Sequence, residues 1–435
     1  MLQTLFTIPN TVAGWPVFGF GLMLAAWLVA SIALLAWLVH RQGWNAETRG
    51  YLPTLLVGAA AIAFLLPRLA DADGLAIRGY GVMLLVAVSS AVALAMVRAR
   101  QIGVDPEIIL SLAFWLFIAG IVGARLFYVI EYWEDSFHKA TFLETVKAVL
   151  NIPGGGLVVY GSLIGGGLAL VAFVRVYRLP GLALADLVAP SLALGMAIGR
   201  IGCFCTGCCY GGVCDLPWAV TFPAEKPPLY TPPYLQQIHN GQLFGVVFAA
   251  NSKTGGEEGP PTIEKVYPRS PADKMGLAAG ERFTRINGKR VTTILAARDE
   301  LYDGLKAGGT IAIRTDSHPE PRTLDLSSPP PRSRPVHPAQ LYSAIDAGLL
   351  CLFLLAYAPY RRRDGELAAL MCTVHPISRF LLERIRTDEA GVLNTGLTIS
   401  QNISLLILLG AVGLWIYLLS RPRGLAWPAL HGQAA

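Results

Sequence analysis

The chain has 435 residues, of which 54% are hydrophobic and 15% charged, and its formal net charge is +6. This composition excludes an ordinary soluble protein. Basic loops on one face of a membrane explain the small positive charge better than a nucleic-acid partner does. We therefore expect an all-α polytopic membrane protein that binds no nucleic acid.

Nine apolar runs are each long enough to predict a transmembrane helix, for which roughly 18 residues or more are needed. Arginines follow every second run, such as Arg98 after the third and Arg421 after the ninth. Because cytoplasmic loops are rich in Lys and Arg, we expect the N-terminus outside and the tail, residues 421–435, inside. The runs lie near residues 16–39, 52–69, 79–97, 109–130, 157–175, 184–204, 340–359, 366–383 and 398–419.

The first two runs, within residues 1–74, are predicted to be an addition to a core of seven spans. Phe18-Gly-Phe-Gly-Leu-Met-Leu24 is similar to Arg78-Gly-Tyr-Gly-Val-Met-Leu84, and each segment opens an apolar run. The second copy carries the polar residues Arg78 and Tyr80, so we expect it to be the functional one. The core then consists of residues 75–214 and 337–420.

Between the two parts of the core, residues 215–336 have the composition of a soluble domain. A helix start at Ser270, a helix end at Gly276 and an Asn-Gly turn at Asn287 follow one another. Over residues 240–328 this order resembles a PDZ domain, a small α+β fold. The resemblance implies capture of a C-terminal peptide as an added edge strand, with its carboxylate on backbone amides. The apolar-Gly-apolar core of that carboxylate loop is matched by Phe244, Gly245 and Val246. We expect this insert on the outer, periplasmic face.

Seven spans from residue 78 onward carry a hydrogen-bonding or basic group in the half that we place nearer the outer face. Ionisable residues inside spans are functional by default, although interfacial belts of Tyr and Arg give a similar pattern. We therefore expect a polar site in the outer part of the membrane. The groups are Arg78, Tyr80, Arg125, Tyr128, Tyr160, Arg200, Gln340, Tyr342, Arg379, Glu383 and Gln401.

Arg200 stands out because it lies at the end of an apolar run and among glycines. Glycines such as Gly202 let the backbone approach a ligand closely. The alternative is an arginine that snorkels to the membrane interface.

The eighth span has a polar face. His375, Arg379 and Glu383 are spaced four apart and Arg386 follows three residues later, so one side of a helix carries all four. Arg379 and Glu383 form a structural ion pair in one interpretation. In the other, Arg379 and Arg200 together bind an anion such as a lipid phosphate.

Several segments outside the insert occur together in the order typical of one family. They are Ile77-Arg-Gly-Tyr-Gly-Val-Met83, Gly123-Ala-Arg-Leu-Phe-Tyr128, Gly155-Gly-Leu-Val-Val-Tyr-Gly-Ser-Leu-Ile-Gly165, Ala185-Asp-Leu-Val-Ala-Pro190, Gly199-Arg-Ile-Gly-Cys-Phe204, His337-Pro-Ala-Gln-Leu-Tyr342 and Arg379-Phe-Leu-Leu-Glu-Arg-Ile-Arg-Thr-Asp388. On these segments, residues 75–420 resemble the prolipoprotein diacylglyceryl transferases. The resemblance implies a seven-span core in the bacterial inner membrane that opens laterally to lipid. It also implies transfer of the diacylglyceryl group of phosphatidylglycerol to a cysteine thiol of a lipoprotein precursor, with no cofactor.

Position by position, the resemblance implies roles for individual residues. Arg200 and Arg379 match the family's essential arginines, and Tyr80 matches its first-span tyrosine. We expect the arginines to bind the phosphate that leaves. The residues expected to line the substrate site are Arg125, Gly202, Cys203, Glu383, Arg386, Gln340 and Tyr342.

Four central positions depart from the family pattern. Tyr160 and His375 stand where the family has His and often Tyr, and Cys203 and Cys208 stand where it has Asn and Glu. We expect His375, hydrogen-bonded to Tyr160, to take the acid–base role, because an imidazole pKa of about 6.5 suits a base near neutral pH. The alternatives are a buried neutral histidine beside Pro376 and arginines that lower the pKa of the thiol unaided.

These departures keep other functions open. One is a catalytically silent, lipid-binding adaptor that recruits partners through the insert. Another is a membrane thiol oxidoreductase, because five of the seven cysteines lie within residues 203–214. A metal site would call for a second ligand pair, and no paired Cys-x-x-Cys occurs elsewhere, so we expect no metal. The cysteines form either a disulfide on an oxidising outer face or small apolar packing at the end of a span.

Overall fold

The computed structural model describes residues 3–137, 141–151, 155–156, 158–224, 231–249, 259–307, 309–325, 330–386 and 396–427. The chain divides into two compact units, Met1–Met83 and Leu84–Ala435. Helices dominate the membrane part of the chain, as the composition predicts.

The first unit contains two long apolar helical segments. Helix α1 spans Leu22–Gln42, and α2 (Ala46–Ala60) continues through a π-helical turn into α3 (Leu66–Leu69). The Asn45 side chain caps α2 by accepting a hydrogen bond from the Thr48 amide at 2.8 Å. Tyr80 also belongs to this unit, in the first turn of α4, where its side chain is exposed. The strands are β1 (Thr4–Ile8), which pairs with β4 (Leu75–Arg78), and β2 (Thr11–Val12), which pairs with β3 (Trp15–Pro16).

The second unit contains the remaining membrane helices. Within the described residues of the whole chain, seven helices are long and apolar enough to cross a membrane. They correspond to seven of the nine predicted runs. The other two runs, 157–175 and 366–383, correspond to α7 and α13. Helix α13 is the one that carries the polar face. The helices are α4 (Gly79–Gln101), α5 (Pro106–Glu131), α6 (Phe142–Leu150), α7 (Val159–Val176), α8 (Gly181–Thr206), α12 (Ala339–Tyr357), α13 (Glu366–Glu383) and α14 (Ile399–Ser420).

Small residues allow α5 and α7 to pack closely. A Cβ atom added at Gly123 would lie only 3.0 Å from the Gly165 Cα atom, so the two backbones touch where these glycines meet. Close backbone approach at small residues is a common means of helix association in membranes. The helices α8, α12 and α13 instead share an apolar core around Ala193, Leu354 and Leu367.

A buried carboxylate joins α8 to the start of α13. Asp186 accepts hydrogen bonds from the backbone amides of Gly365 at 2.8 Å and Ala368 at 3.0 Å. These amides belong to the unsatisfied N-terminal turn of α13, and a carboxylate there also interacts favourably with the helix dipole. The buried Arg98 of α4 donates to the Asp186 and Leu187 carbonyls, so three helices meet at this point.

The insert between α8 and α12 is attached through a paired stem. Val220 and Val336 exchange backbone hydrogen bonds of 3.0 and 2.9 Å. The Phe222 amide donates to the Ser333 hydroxyl at 2.9 Å, and the Phe222 and Val336 side chains are fully buried. The two ends of the insert therefore lie side by side.

Beyond the stem, the insert forms a small α+β module. Ser270 caps α10 and the Asn287-Gly288 turn joins β7 to β8, which confirms both local predictions. Tyr234 and Ile238 of α9 are fully buried in the apolar core, so this core begins before the predicted boundary at residue 240. Strand β5 pairs with β6, and a four-stranded sheet has the order β10-β9-β7-β8. The elements are α9 (Pro232–His239), β5 (Val246–Phe248), β6 (Ile263–Val266), α10 (Pro271–Lys274), β7 (Phe283–Ile286), β8 (Lys289–Arg290), α11 (Ile294–Ala307), β9 (Thr310–Thr315) and β10 (Arg322–Asp325).

Candidate active site

Four helix ends meet at the base of the stem. They are the C-terminal ends of α8 and α13 and the N-terminal ends of α12 and α14. The Gly211 amide donates to the His337 carbonyl and the Gly212 amide to the Ile385 carbonyl, both at 2.9 Å. A Cβ atom at Gly211 would lie 2.6 Å from His337 Cβ, so this close approach needs glycine. The contacts bring the polar residues of α8, α12 and α13 into one region.

The polar face of α13 is present as predicted and contains an ion-pair network. The fully buried Glu383 carboxylate pairs with Arg379 one turn before it and with Arg386 at 3.4 Å. Arg379 also donates to the Ser400 hydroxyl of α14 at 2.9 Å. Among the described residues of this face, two guanidinium groups therefore share one carboxylate.

Arg200 adds a further positive charge to the same region. Its side chain is partly buried, and it makes no hydrogen bond or ion pair to any residue that the structure describes. It lies close enough to His375 and Cys209 for its charge to act on both. A guanidinium group has five N–H donors, so Arg200 is ready to bind an anion.

His375 lies near these arginines but not in the predicted hydrogen bond. Its Nδ1 atom is buried without a partner, and its side chain makes no hydrogen bond within the described part of the chain. The expected His375–Tyr160 bond is therefore wrong for this structure. Tyr160 begins α7, where the next residue, Gly161, packs directly against the backbone of α5.

The sequence interpretation overlooked Asp346. This acid lies in the middle of the apolar helix α12, where an ionisable group is costly and marks function. Its Oδ2 atom accepts a hydrogen bond from the Ser378 hydroxyl at 2.7 Å, and its charge acts on His375. The signal was available, because Asp346 interrupts a predicted span just as Arg200 and Arg379 do.

Three of the predicted substrate residues have structural contacts. Gln340 is fully buried and donates to the Cys208 carbonyl at 2.7 Å, which fixes the turn after α8. The Tyr342 hydroxyl accepts a hydrogen bond from the Trp218 indole at 2.7 Å. Gly202 is buried within α8, and its carbonyl accepts a hydrogen bond from the Thr206 hydroxyl at 3.3 Å.

The contacts of Arg125 are structural, although the sequence predicts that it binds substrate. All five guanidinium N–H donors are occupied by backbone carbonyls at the end of α6 and just after it. Its aromatic neighbours are Tyr128 and Phe137. The helix dipole also favours a cation at the C-terminus of α6. The acceptors are Val149 (2.9 Å), Gly155 (2.6 Å), Gly156 (3.0 Å), Ala148 (2.7 Å) and Asn151 (3.1 Å).

Three of the five clustered cysteines come together. The Sγ atoms of Cys203, Cys208 and Cys209 all lie within 4.8 Å of one another, and every cysteine in the chain is a free thiol. Hydrogen bonds from Cys203 and Cys208 lower the pKa of the Cys209 thiol, and the positive charges of nearby Arg386 and Arg200 lower it further. Of the two alternatives that the sequence leaves open, the disulfide is therefore not formed in this structure.

The predicted carboxylate loop of the insert is a tight turn. The Phe244 and Val246 side chains are buried in the core of the module. The Phe244 and Val246 amides donate to the Gly241 carbonyl, and the Gly245 amide donates to the Gln242 carbonyl, at 3.0 to 3.1 Å. These amides are already occupied within the turn.

Comparison with known proteins identifies one family that matches most of the chain. The family described as prolipoprotein diacylglyceryl transferase matches residues 67–417. The phosphatidylglycerol–prolipoprotein diacylglyceryl transferase of Rhodopirellula baltica is 33% identical over 94% of this chain and 87% of its own length. The corresponding protein of Trichormus variabilis is 36% identical over 39% of this chain and 60% of its own. In Clostridium perfringens, the transferase numbered 2 is 24% identical over 82% of this chain and 96% of its own. The chain belongs to the prolipoprotein diacylglyceryl transferase family.

Proposed function

We propose that this protein transfers the diacylglyceryl group of phosphatidylglycerol to the lipobox cysteine of a lipoprotein precursor. The observation that carries the proposal is Arg200, a guanidinium group at the end of a membrane helix with no counterion among the described residues. It lies beside a face of α13 on which two guanidinium groups share one carboxylate. An anionic lipid headgroup is the ligand that this arrangement favours.

The reaction exchanges a C–O bond for a C–S bond. The thiolate attacks the glyceryl carbon, a thioether forms, and glycerol phosphate leaves with the electrons of the broken C–O bond. Arg200 and Arg379 bind the phosphate and stabilise its growing charge in the transition state. Glu383 and Arg386 hold Arg379 in position through the network on α13.

The thiol must lose its proton, since the thiolate is the nucleophile. We propose that His375 accepts this proton. Its imidazole lies near Arg200 and Arg379 and has no competing hydrogen bond in the described part of the chain. Asp346 on α12 provides the neighbouring negative charge that stabilises the imidazolium. Gly202, Cys203, Gln340 and Tyr342 belong to the surrounding wall of the site in this proposal.

The test is a transfer assay in vesicles that contain labelled phosphatidylglycerol and a lipobox peptide. Arg200→Ala should lower turnover by a factor of about 100 or more, the scale of one lost preorganised donor. Arg200→Lys should recover only part of it, because the compact lysine ammonium lacks the planar fork that binds phosphate through two parallel N–H groups. The matched control is Arg175→Ala, an exposed arginine in the last turn of α7, which should keep full activity. Lipid binding without product in the wild-type protein would instead support the silent adaptor.

We propose further that the protein lies in the bacterial inner membrane with the insert in the periplasm. The support is the set of arginines after alternate predicted spans, such as Arg98 and Arg361. A reporter that is active only in the cytoplasm should be silent when fused after Pro330. A strong signal there would reverse the orientation.

For the insert we propose a PDZ-like recruiting module that takes a protein's C-terminal peptide along β5. Within the described residues, β5 pairs only with β6, and the amides of the Phe244 turn are occupied. Strand addition should therefore supply most of the affinity. In a peptide-library binding assay, amide-capped C termini should bind nearly as well as free ones. Failure of every peptide would exclude this role.

A further inference from the structure

The cluster of Cys203, Cys208 and Cys209, which we call the thiol triad, has the geometry of a metal site. Its three Sγ atoms lie within 4.8 Å of one another. Three sulfurs bound to one ion at about 2.3 Å would lie roughly 4 Å apart, so only small side-chain movements are needed. The triad forms because α8 ends at Gly207, whose φ angle of 84° turns the chain back over the helix.

The surroundings hold the triad in place. Gln340 of α12 donates to the Cys208 carbonyl at 2.7 Å, and the Cys203 carbonyl accepts the Gly207 amide at 2.9 Å. Both bonds fix the backbone of the ligands. The sulfurs hydrogen-bond to groups of the triad itself, such as the Cys203 carbonyl at 3.7 Å from the Cys208 Sγ atom, and these thiol contacts would be replaced when the thiols lose their protons to bind an ion. Supporting contacts of this kind are what hold metal ligands in position.

The charge balance suits a bound ion. Three thiolates and one divalent ion carry a net charge of −1, and Arg200 and Arg386 both lie near enough to act on Cys209. The guanidinium groups therefore neutralise the complex instead of opposing it. Thiolate ligands select soft d10 ions such as Zn²⁺ or Cu⁺ over hard ions such as Mg²⁺.

The triad also has an entry path. A cavity of about 390 Å³ reaches Cys208 and Cys209 and is bounded on its other side by Gln236 and His239 of α9. An ion can enter from this side, and the cavity leaves room for a fourth ligand such as water. A closed structural zinc site would have four protein ligands, whereas this one has three and an open position.

We propose that the thiol triad binds one soft d10 metal ion, with Zn²⁺ as the divalent representative. The metal site would share Arg200 and Cys203 with the proposed transfer site, but its test measures retained metal and does not depend on the transfer reaction. A disulfide would use only two of the three thiols and would need an external oxidant.

The experiment uses the full-length protein, purified in detergent with a reductant that does not bind metals, then loaded with Zn²⁺ and desalted. Elemental analysis should give one zinc per chain. Loading with Cd²⁺ should give the ultraviolet charge-transfer absorption of thiolate–metal bonds. Single changes Cys203→Ser, Cys208→Ser and Cys209→Ser should each reduce retained zinc by a factor of about 10 or more, within the range that mutation of ligand-supporting groups reaches.

The chain provides matched controls in Cys205→Ser and Cys214→Ser, because neither sulfur belongs to the triad. Both variants should retain one zinc and the full Cd²⁺ absorption. Zinc retained by the variant that lacks all three triad thiols would overturn the proposal. So would a wild-type protein that is folded, fully reduced by thiol titration and unable to retain zinc. A disulfide within the triad after purification with reductant would likewise overturn it.

Discussion

Glu383 and Arg379 lie one helical turn apart on α13 and form an ion pair whose carboxylate is fully buried. Arg386 approaches the same carboxylate from the following turn. The interpretation as a structural ion pair is therefore confirmed, whereas binding of an anion by Arg379 and Arg200 stays a proposal.

Replacing Glu383 should damage both stability and transfer. Glu383→Gln leaves two guanidinium groups without their shared counterion, and breaking a buried pair from one side costs about 3–5 kcal/mol. We expect a clear fall in the melting temperature in detergent and a loss of turnover. The control is Glu300→Gln, which breaks the pair with the exposed Lys289 and should change the melting temperature little. Equal melting temperatures for the two variants would contradict the network.

A histidine base predicts a particular pH profile. A base works only when neutral, so the rate should rise with pH as His375 loses its proton. His375→Gln should remove this rise and most of the activity, whereas Tyr160→Phe should have a small effect because the two side chains are not hydrogen-bonded. The comparison variant is His40→Gln, an exposed histidine at the end of α1. An unchanged profile in His375→Gln would assign the proton to another group.

The contacts of Arg125 predict a stability defect instead of a binding defect. Arg125→Lys keeps the charge but loses most of the five bonds to carbonyls around α6. We expect a loss on the order of 3 kcal/mol and faster proteolysis near residues 148–156. The KM for phosphatidylglycerol should not change. Arg100→Lys, an exposed arginine on α4, should be neutral. A raised KM with unchanged stability would return Arg125 to the substrate site.

Removing the carboxylate between α8 and α13 should loosen the bundle far from the chemistry. Asp186→Ala leaves the Gly365 and Ala368 amides unpaired and removes a counterion near Arg98. We expect a loss of about 3 kcal/mol, because hydrogen bonds to a charged group are worth about 1.5–3 kcal/mol each. Asp105→Ala removes an exposed N-cap on α5 and should cost about 1 kcal/mol. Comparable melting temperatures for both variants would argue against a special role for Asp186.

The sequence reveals helix faces more reliably than it reveals partners. The spacing of His375, Arg379 and Glu383 gave their common face because helical periodicity is local. The contacts of Arg125 were not predicted, because depth in the membrane does not show that carbonyls 23 to 31 residues later fold onto it. Asp346 was overlooked although it lies in the same predicted span as Gln340 and Tyr342.

The thiol triad was missed for a different reason. A second Cys-x-x-Cys pair is the usual sequence signal of a metal site, because metal ligands commonly come in two separated pairs. Here Gly207 turns the chain back, so the adjacent Cys208 and Cys209 meet Cys203 in the last turn of α8. A left-handed residue after a helix is a visible sequence signal when it is glycine.

The paired stem has a consequence for how such a chain can change. Phe222 and Ser333 are hydrogen-bonded neighbours although more than a hundred residues separate them along the chain. A segment whose two ends are adjacent can be exchanged for a short hairpin, or for an unrelated domain, without altering the spacing of α8 and α12. The stem is thus a grafting point, at which the insert can be replaced while the membrane helices on either side of it keep their arrangement.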